Sequence, residues 1–229
     1  MLARAGSTVR EFSHTTDELA HLAAAVTLYD AGKLIYMVEH PPLQRIVVGG
    51  ALRVAGVRYP EAAGQTRVGS RDESNEIGAH IAFDSGRPYW EILTIARLAN
   101  LVFPAVALLY VYLLGRYLGN ALIGMLGVLF FSLDPTLLAH SALAGTDVAA
   151  VAGFLVASYH GLRFVAAPSR KHTVVAAVAM GLGLSAKFSV MFLIPALGLL
   201  LIIRSVRDVR SRAPFFPAGE AFWRHWPSP

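Results

Sequence analysis

Residues 92–115 read ILTIARLANLVFPAVALLYVYLLG. A helix needs about 20 mostly apolar residues to cross the hydrocarbon core of a bilayer, and this stretch is long enough. Backbone in lipid has no water to bond, so a single spanning segment of this kind must be helical. Reading outward, a short polar turn, GRYLGN, leads into a second apolar helix over 119–133, GNALIGMLGVLFFSL. That helix is expected to stop near Asp134-Pro135, because proline ends or kinks a helix. A weakly apolar stretch, TLLAHSALAGT, precedes a third helix over 147–166, DVAAVAGFLVASYHGLRFVA. After the turn PSRKH, residues 173–204 are too long for one perpendicular crossing, and they read as two short helices hinged near Ser185-Ala186-Lys187. The expected fold is therefore all-α, with about five membrane-crossing helices.

Composition agrees. Of 229 residues, 55% are hydrophobic and only 15% charged, against roughly 25% charged in an ordinary soluble domain. The net charge of +5 sits in short clusters between apolar runs rather than in a basic stripe interleaved with aromatics, so nucleic acid is not an expected partner. The chain has no cysteine, which excludes disulfides, thiolate metal sites and a cysteine nucleophile. Residues 1–16 contain no apolar signal-peptide core. Three divisions follow: a polar segment over 1–91, the apolar helical part over 92–204, and a basic, proline-rich tail over 205–229.

The basic residues also suggest an orientation. Arg116, the Arg163/Arg170/Lys171 group and the Arg204/Arg207/Arg210/Arg212 group fall at alternate ends of successive spans. With five helices, all three groups share one side, which the positive-inside rule makes cytoplasmic. Residues 1–91, the Asp134–Asp147 loop and the Lys187 hinge then lie on the opposite side of the cell membrane. Within 1–91, DELAHLAAAVTLYDAG places Leu19, Leu22, Ala23, Val26 and Leu28 at helical spacing, as expected of an amphipathic helix lying in the interface. PPLQRIVVGGALRVAG reads as a second such helix, with Pro41-Pro42 at its start, where proline is tolerated. Residues 58–91, charged and glycine-rich, are expected to form a mobile loop.

Several ionisable groups carry two readings. Asp17-Glu18, one turn before His21, are either helix-start acids favoured by the dipole or a general base facing a cavity at the membrane surface. Glu39-His40-Pro41-Pro42 is either a loop-to-helix junction or a pair of ligand-type side chains on a rigid backbone, suited to a phosphate or metal contact. Asp147 is either a helix-start charge or a site acid. Arg97 and Lys187 either anchor at the interface by snorkelling or hold a lipid phosphate. His160 and Arg163 read as structural. On the expected topology, Asp17, Glu18, Glu39, His40, Arg97, Asp147 and Lys187 all collect at one membrane face, a pattern suited to group transfer from an anionic lipid.

TTDELAHLAAAVTLYDAGKLIYMVEHPPLQRIV resembles the first outer loop of GT-C class membrane glycosyltransferases, closest to the protein mannosyltransferase-like family 39 enzymes. IARLANLVFPAVALLYVYLLGRYLG, LDPTLLAHSALAGTDVAAVAGFLVASYHGLRF and GLGLSAKFSVMFLIPAL resemble later stretches of that group, in the same order. The resemblance covers about residues 14–204. It implies a polyprenyl-phosphate-linked sugar donor, inversion at the anomeric carbon and an acceptor it does not identify. It makes Asp17 the general base, Glu18 an orienting acid, and Glu39 and His40 neighbours of the phosphate, where related enzymes sometimes hold a divalent metal. Arg97 and Lys187 would neutralise the departing lipid phosphate, and Asp147 matches the family's second-loop acid. Family members begin with a membrane helix before the Asp-Glu pair and continue for several more helices. The 229 residues are therefore expected to be an N-terminal part of such an enzyme, or a frame with a misplaced start. Two other classes compete. A small transporter needs polar groups near the bilayer midplane and paired broken helices, which the clustering at one face disfavours. A non-catalytic membrane remnant would show neither transfer nor flux.

Overall fold

The apolar runs become helices, and so does most of the polar first segment. The computed structural model describes residues 1–211. In chain order it contains α1 (Leu2–Thr8), α2 (Thr16–Ala31), α3 (Leu43–Val54), a 3-10 turn (Pro60–Gly64), α4 (Arg71–Asp84), α5 (Tyr89–Asn100), α6 (Val102–Leu118), α7 (Ala121–Leu133), α8 (Pro135–Ser141), α9 (Asp147–Ala166), α10 (Arg170–Ala186), a second 3-10 turn (Phe188–Phe192) and α11 (Leu193–Ser211). No strand occurs among the described residues. Most of the expected basic tail, from residue 212 on, lies outside them.

The protein is an all-α, multi-pass membrane protein. Among the described residues, three helical segments are long and apolar enough to cross: Tyr89–Leu118, Asp147–Ala166 and Phe188–Arg207. A fourth arises if α7 and α8, bent by 70° at Asp134-Pro135, count as one span. The expected five is reached only by adding α10. Its 17 residues rise about 25 Å, short of the roughly 30 Å hydrocarbon core. The break at Lys187 falls where the sequence places it, between α10 and the 3-10 turn that begins at Phe188. Tyr89–Leu118 has the opposite mismatch. Its 30 residues rise about 45 Å, more than a bilayer core requires. The excess is α5, which packs against α3 and α4 and joins the polar segment to the apolar helices.

The first segment departs furthest from expectation. α2 does not present one apolar stripe: Glu18 and every residue from Ala20 to Thr27 are buried. It runs through the centre of this segment, with α3 on one flank and α4 on another. Small side chains allow such close approach from two directions. A Cβ on Gly49 of α3 would stand 2.2 Å from the Ala25 carbonyl oxygen, and one on Gly78 of α4 would stand 2.0 Å from that of Leu19. α3 does bury one face, through Gln44, Arg45, Val48, Gly49 and Leu52. Residues 58–91, expected to be a loop, instead hold the 3-10 turn and α4. Ser70 caps α4 by accepting from the Glu73 N–H, and Glu73 accepts from the Ser70 N–H in return, the reciprocal capping box. The buried face of α4 is Ser74, Gly78, Ile81 and Ala82, too small and polar to read as an apolar stripe. One core joins the pieces: Leu22 and Val26 of α2, Val48 and Leu52 of α3, Ile81 of α4, Ile92 and Ala96 of α5, and Ala144 from the loop before α9.

Candidate active site

The site is built from the N-terminal end of α2 and the loop between α8 and α9. Glu18 is the third residue of α2 and is 2% exposed. Its Oε1 accepts from Arg97 Nε at 2.9 Å and from the Ala144 backbone N–H at 2.9 Å. Its Oε2 accepts from Arg97 Nη2 at 2.8 Å and from the Thr15 backbone N–H at 2.9 Å. Burial alone would raise this carboxyl, but Arg97 and the Ala144 and Thr15 N–H groups outweigh it and hold it below the usual carboxylate range. Arg97, 1% exposed, also donates through Nη1 to the carbonyls of Val9 and Phe12 and through Nη2 to that of Ser13. All five guanidinium donors are therefore engaged.

The loop leading to Asp147 is held through its backbone. Asn100 Nδ2 donates to the Leu143 carbonyl at 2.8 Å and to that of Gly145 at 3.2 Å. Gln44 Nε2 donates to the Ala144 carbonyl at 3.0 Å. With Glu18 taking the Ala144 N–H, side chains from α2, α3 and α5 fix three consecutive peptide groups just before α9.

Against this scaffold lies a cleft of about 290 Å³, lined by Thr15, Thr16, Asp17, Glu18, His21, His140, Leu143, Gly145 and Asp147. Asp17, beside the buried Glu18, has a 60% exposed side chain that pairs with Arg71 of α4. Asp147 lies 2.8 Å from Lys187 Nζ and 3.4 Å from His140 Nδ1. His21, buried at 6% exposure, meets His40 edge to face at 5.4 Å between ring centroids. Burial first, then the charges of His40 and Arg45, push the His21 imidazole down to about 4, against the opposing pull of Asp17 and Asp147. Burial also lowers His40, which feels Glu39, Arg45, Lys187 and Asp147.

Of the residues singled out in the sequence, Asp17, Glu18 and Asp147 line one cleft, Lys187 reaches it through Asp147, and His40 borders it through His21. Glu39 is exposed and is not among the lining residues. Arg97, expected at the lipid phosphate, is instead internal, because Glu18 and three carbonyls take up every donor it has. Glu18 likewise has no free oxygen facing the cleft. His160 bonds Tyr110 at 2.9 Å within the apolar helices, a structural contact. Sequence reading missed Gln44, Asn100, His140 and Arg71. Gln44, Asn100 and Arg71 have partners tens of residues away, and His140 meets only Asp147 across the loop; each bonds a backbone carbonyl or a single charge, so no local pattern marks them. Among the described residues no three His, Asp or Glu side chains group as a metal site.

These features define a class: a multi-pass helical membrane protein whose apolar helices carry, at one end, a cleft of acids and a cation. Residues 90–221, more than half of the chain, match the dolichyl-phosphate-mannose-protein mannosyltransferase family, and the chain belongs to it. It is thus a glycosyltransferase-family protein of the GT-C type. No curated protein and no solved structure matches it.

Proposed function

We propose that the chain transfers a sugar from a polyprenyl-phosphate-linked donor to an acceptor hydroxyl on the non-cytoplasmic side of the cell membrane. One observation carries this reading: Asp17 and Asp147, far apart in sequence, line the same cleft, and Lys187 closes on Asp147. The family description supports mannose as the sugar and a protein hydroxyl as the acceptor. Asp17 takes the acceptor proton while the acceptor oxygen bonds the anomeric carbon from the face opposite the phosphate. The bond from that carbon to the phosphate oxygen breaks in the same step, with inversion, and its electron pair leaves with the polyprenyl phosphate. A phosphate is already a good leaving group, so proton removal and charge stabilisation are most of the task. Lys187 stabilises the departing charge, with His40 near it and Glu39 further out on the exposed side of His40, and Asp147 holds Lys187 in place. Glu18 and Arg97 serve as positioning residues that fix the helix end carrying Asp17.

Purified chain given radiolabelled polyprenyl-phosphate mannose and a serine- or threonine-bearing peptide should move label to the peptide. Donor left intact over many enzyme equivalents would overturn the reading. The membrane face is tested separately. Glu76, exposed on α4, can be replaced by the chain's first cysteine. An impermeant maleimide should label Glu76→Cys in intact cells; labelling only after permeabilisation would reverse the orientation.

A further inference from the structure

Among the described residues two arginines are fully out of water, Arg97 and Arg45. Arg97 is matched by Glu18. Arg45, the third residue of α3, makes no ion pair among the described residues. Burial lowers it to about 10 against the pull of Glu39, which still leaves it charged at neutral pH. Burying a charge without a counter-charge is costly, so the guanidinium is expected to have a task where it sits.

Arg45 directs its donors at one stretch of backbone. Nη1 donates to the Tyr36 carbonyl at 3.1 Å, and Nη2 donates to the Met37 carbonyl. Its Nε has no partner, so the group is placed for those two carbonyls and not for its own saturation. They belong to the peptide groups on either side of the Met37 Cα, and a planar fork that grips both fixes both torsions of that residue. Among the described residues Met37 is the one non-glycine with a left-handed backbone, at φ 50°. A residue with a Cβ seldom adopts that conformation. Such outliers persist only where their surroundings determine them, and they gather at functional sites. Ile35, Tyr36 and Met37 also share a small core with Ala20 and Ala24 of α2. Apolar contact of this kind holds the loop to the helix but is not directional, whereas the two carbonyl bonds are.

The turn leads directly to the site. The same Met37 carbonyl accepts from the His40 N–H at 2.9 Å. His40 stands edge to face with His21, which lines the cleft, and it lies within electrostatic reach of Lys187 and Asp147. Pro41 and Pro42 follow, and then α3 brings the chain back to Arg45. Arg45, the Met37 turn and His40 thus form one closed unit.

We propose that Arg45 is a positioning residue for the transfer, holding Met37 in its left-handed turn so that His40 stays where the departing phosphate charge builds. The inference rests on the transfer reading above, which gives His40 that place.

The test is a double-mutant cycle on the full chain with polyprenyl-phosphate mannose and the acceptor peptide, reading kcat per monodisperse enzyme. Arg45→Lys keeps the charge but has no fork to span two carbonyls. It should lower kcat by on the order of 10-fold or more, since a displaced group near the reacting atoms is poorly aimed. In the His40→Ala background the same change should alter kcat by less than about twofold, because the group that Arg45 aims is gone. Equal losses in both backgrounds mark Arg45 as structural and overturn the proposal. An unchanged kcat in Arg45→Lys alone, or in His40→Ala alone, overturns it as well. Should Arg45→Lys not fold, Arg45→Gln, which drops the charge but keeps an amide for one carbonyl, runs the same cycle; failure of both to fold overturns the proposal. No transfer by wild type overturns the transfer reading itself, and the inference falls with it.

Discussion

The buried node around Glu18 and the open cleft around Asp17 are adjacent in the chain, yet they differ in how much hydrogen-bonding capacity is already taken. Glu18 accepts four N–H groups and sits out of water. Asp17 shares one exposed ion pair and keeps its remaining acceptor sites for solvent or substrate. A saturated carboxylate holds structure, and one with spare capacity can bind and take a proton. The same contrast separates the two cations expected at the phosphate: Arg97 has no donor left, and Lys187 has one tie, to Asp147.

Substitutions that keep shape and change one property should sharpen this division. Asp17→Asn is expected to lower turnover by about 10²–10⁴-fold with little change in melting temperature or donor binding, because it removes basicity and, beyond that, only an exposed ion pair with Arg71. Near-normal turnover in folded protein would move the base to Asp147. Glu18→Gln should do the reverse in kind. It leaves Arg97 buried beside a neutral amide, and breaking one side of a buried pair costs about 3–5 kcal/mol. Thermal melting in detergent checks this, and an unchanged melting curve would mean the node does not hold the fold. Lys187→Ala should weaken donor binding by about 1.5–3 kcal/mol, the worth of a charge-assisted contact, in a titration with polyprenyl-phosphate mannose. A further effect is a pH slope. His21 takes a proton near 6.5 when unfolded and at about 4 in the fold. Between those values the unfolded state binds more protons, so stability falls as pH drops, by up to about 1.4 kcal/mol per pH unit. Wild type should therefore lose more stability than His21→Asn across that window, and parallel losses would place His21 outside a low-dielectric site.

Long apolar runs made the helical class and the break before Phe188 legible, because lipid leaves a backbone few choices. Asp17, Asp147 and Lys187 were legible as candidates because ionisable groups stand out against such runs. The interior of the first segment was not. α2 alternates as an amphipathic helix does, but its alanines let α3 and α4 approach from two sides and bury it. α4 was concealed by its charges, although the Ser70–Glu73 capping spacing stood in plain view. Arg97 and Glu18 carry the composition of a site, and only the count of their partners, from Val9 to Ala144, shows that they are already satisfied.

The bonds from Asn100, Gln44 and Glu18 to residues 143–145 end on peptide groups rather than side chains. Mutational scanning of that loop would therefore misjudge it. Removing the Leu143 side chain leaves every one of these bonds in place, and the loop would score as tolerant. Proline at position 144 deletes the one N–H that Glu18 accepts from this loop. The position of Asp147 is thus encoded on three helices that a scan of its own neighbourhood would never sample.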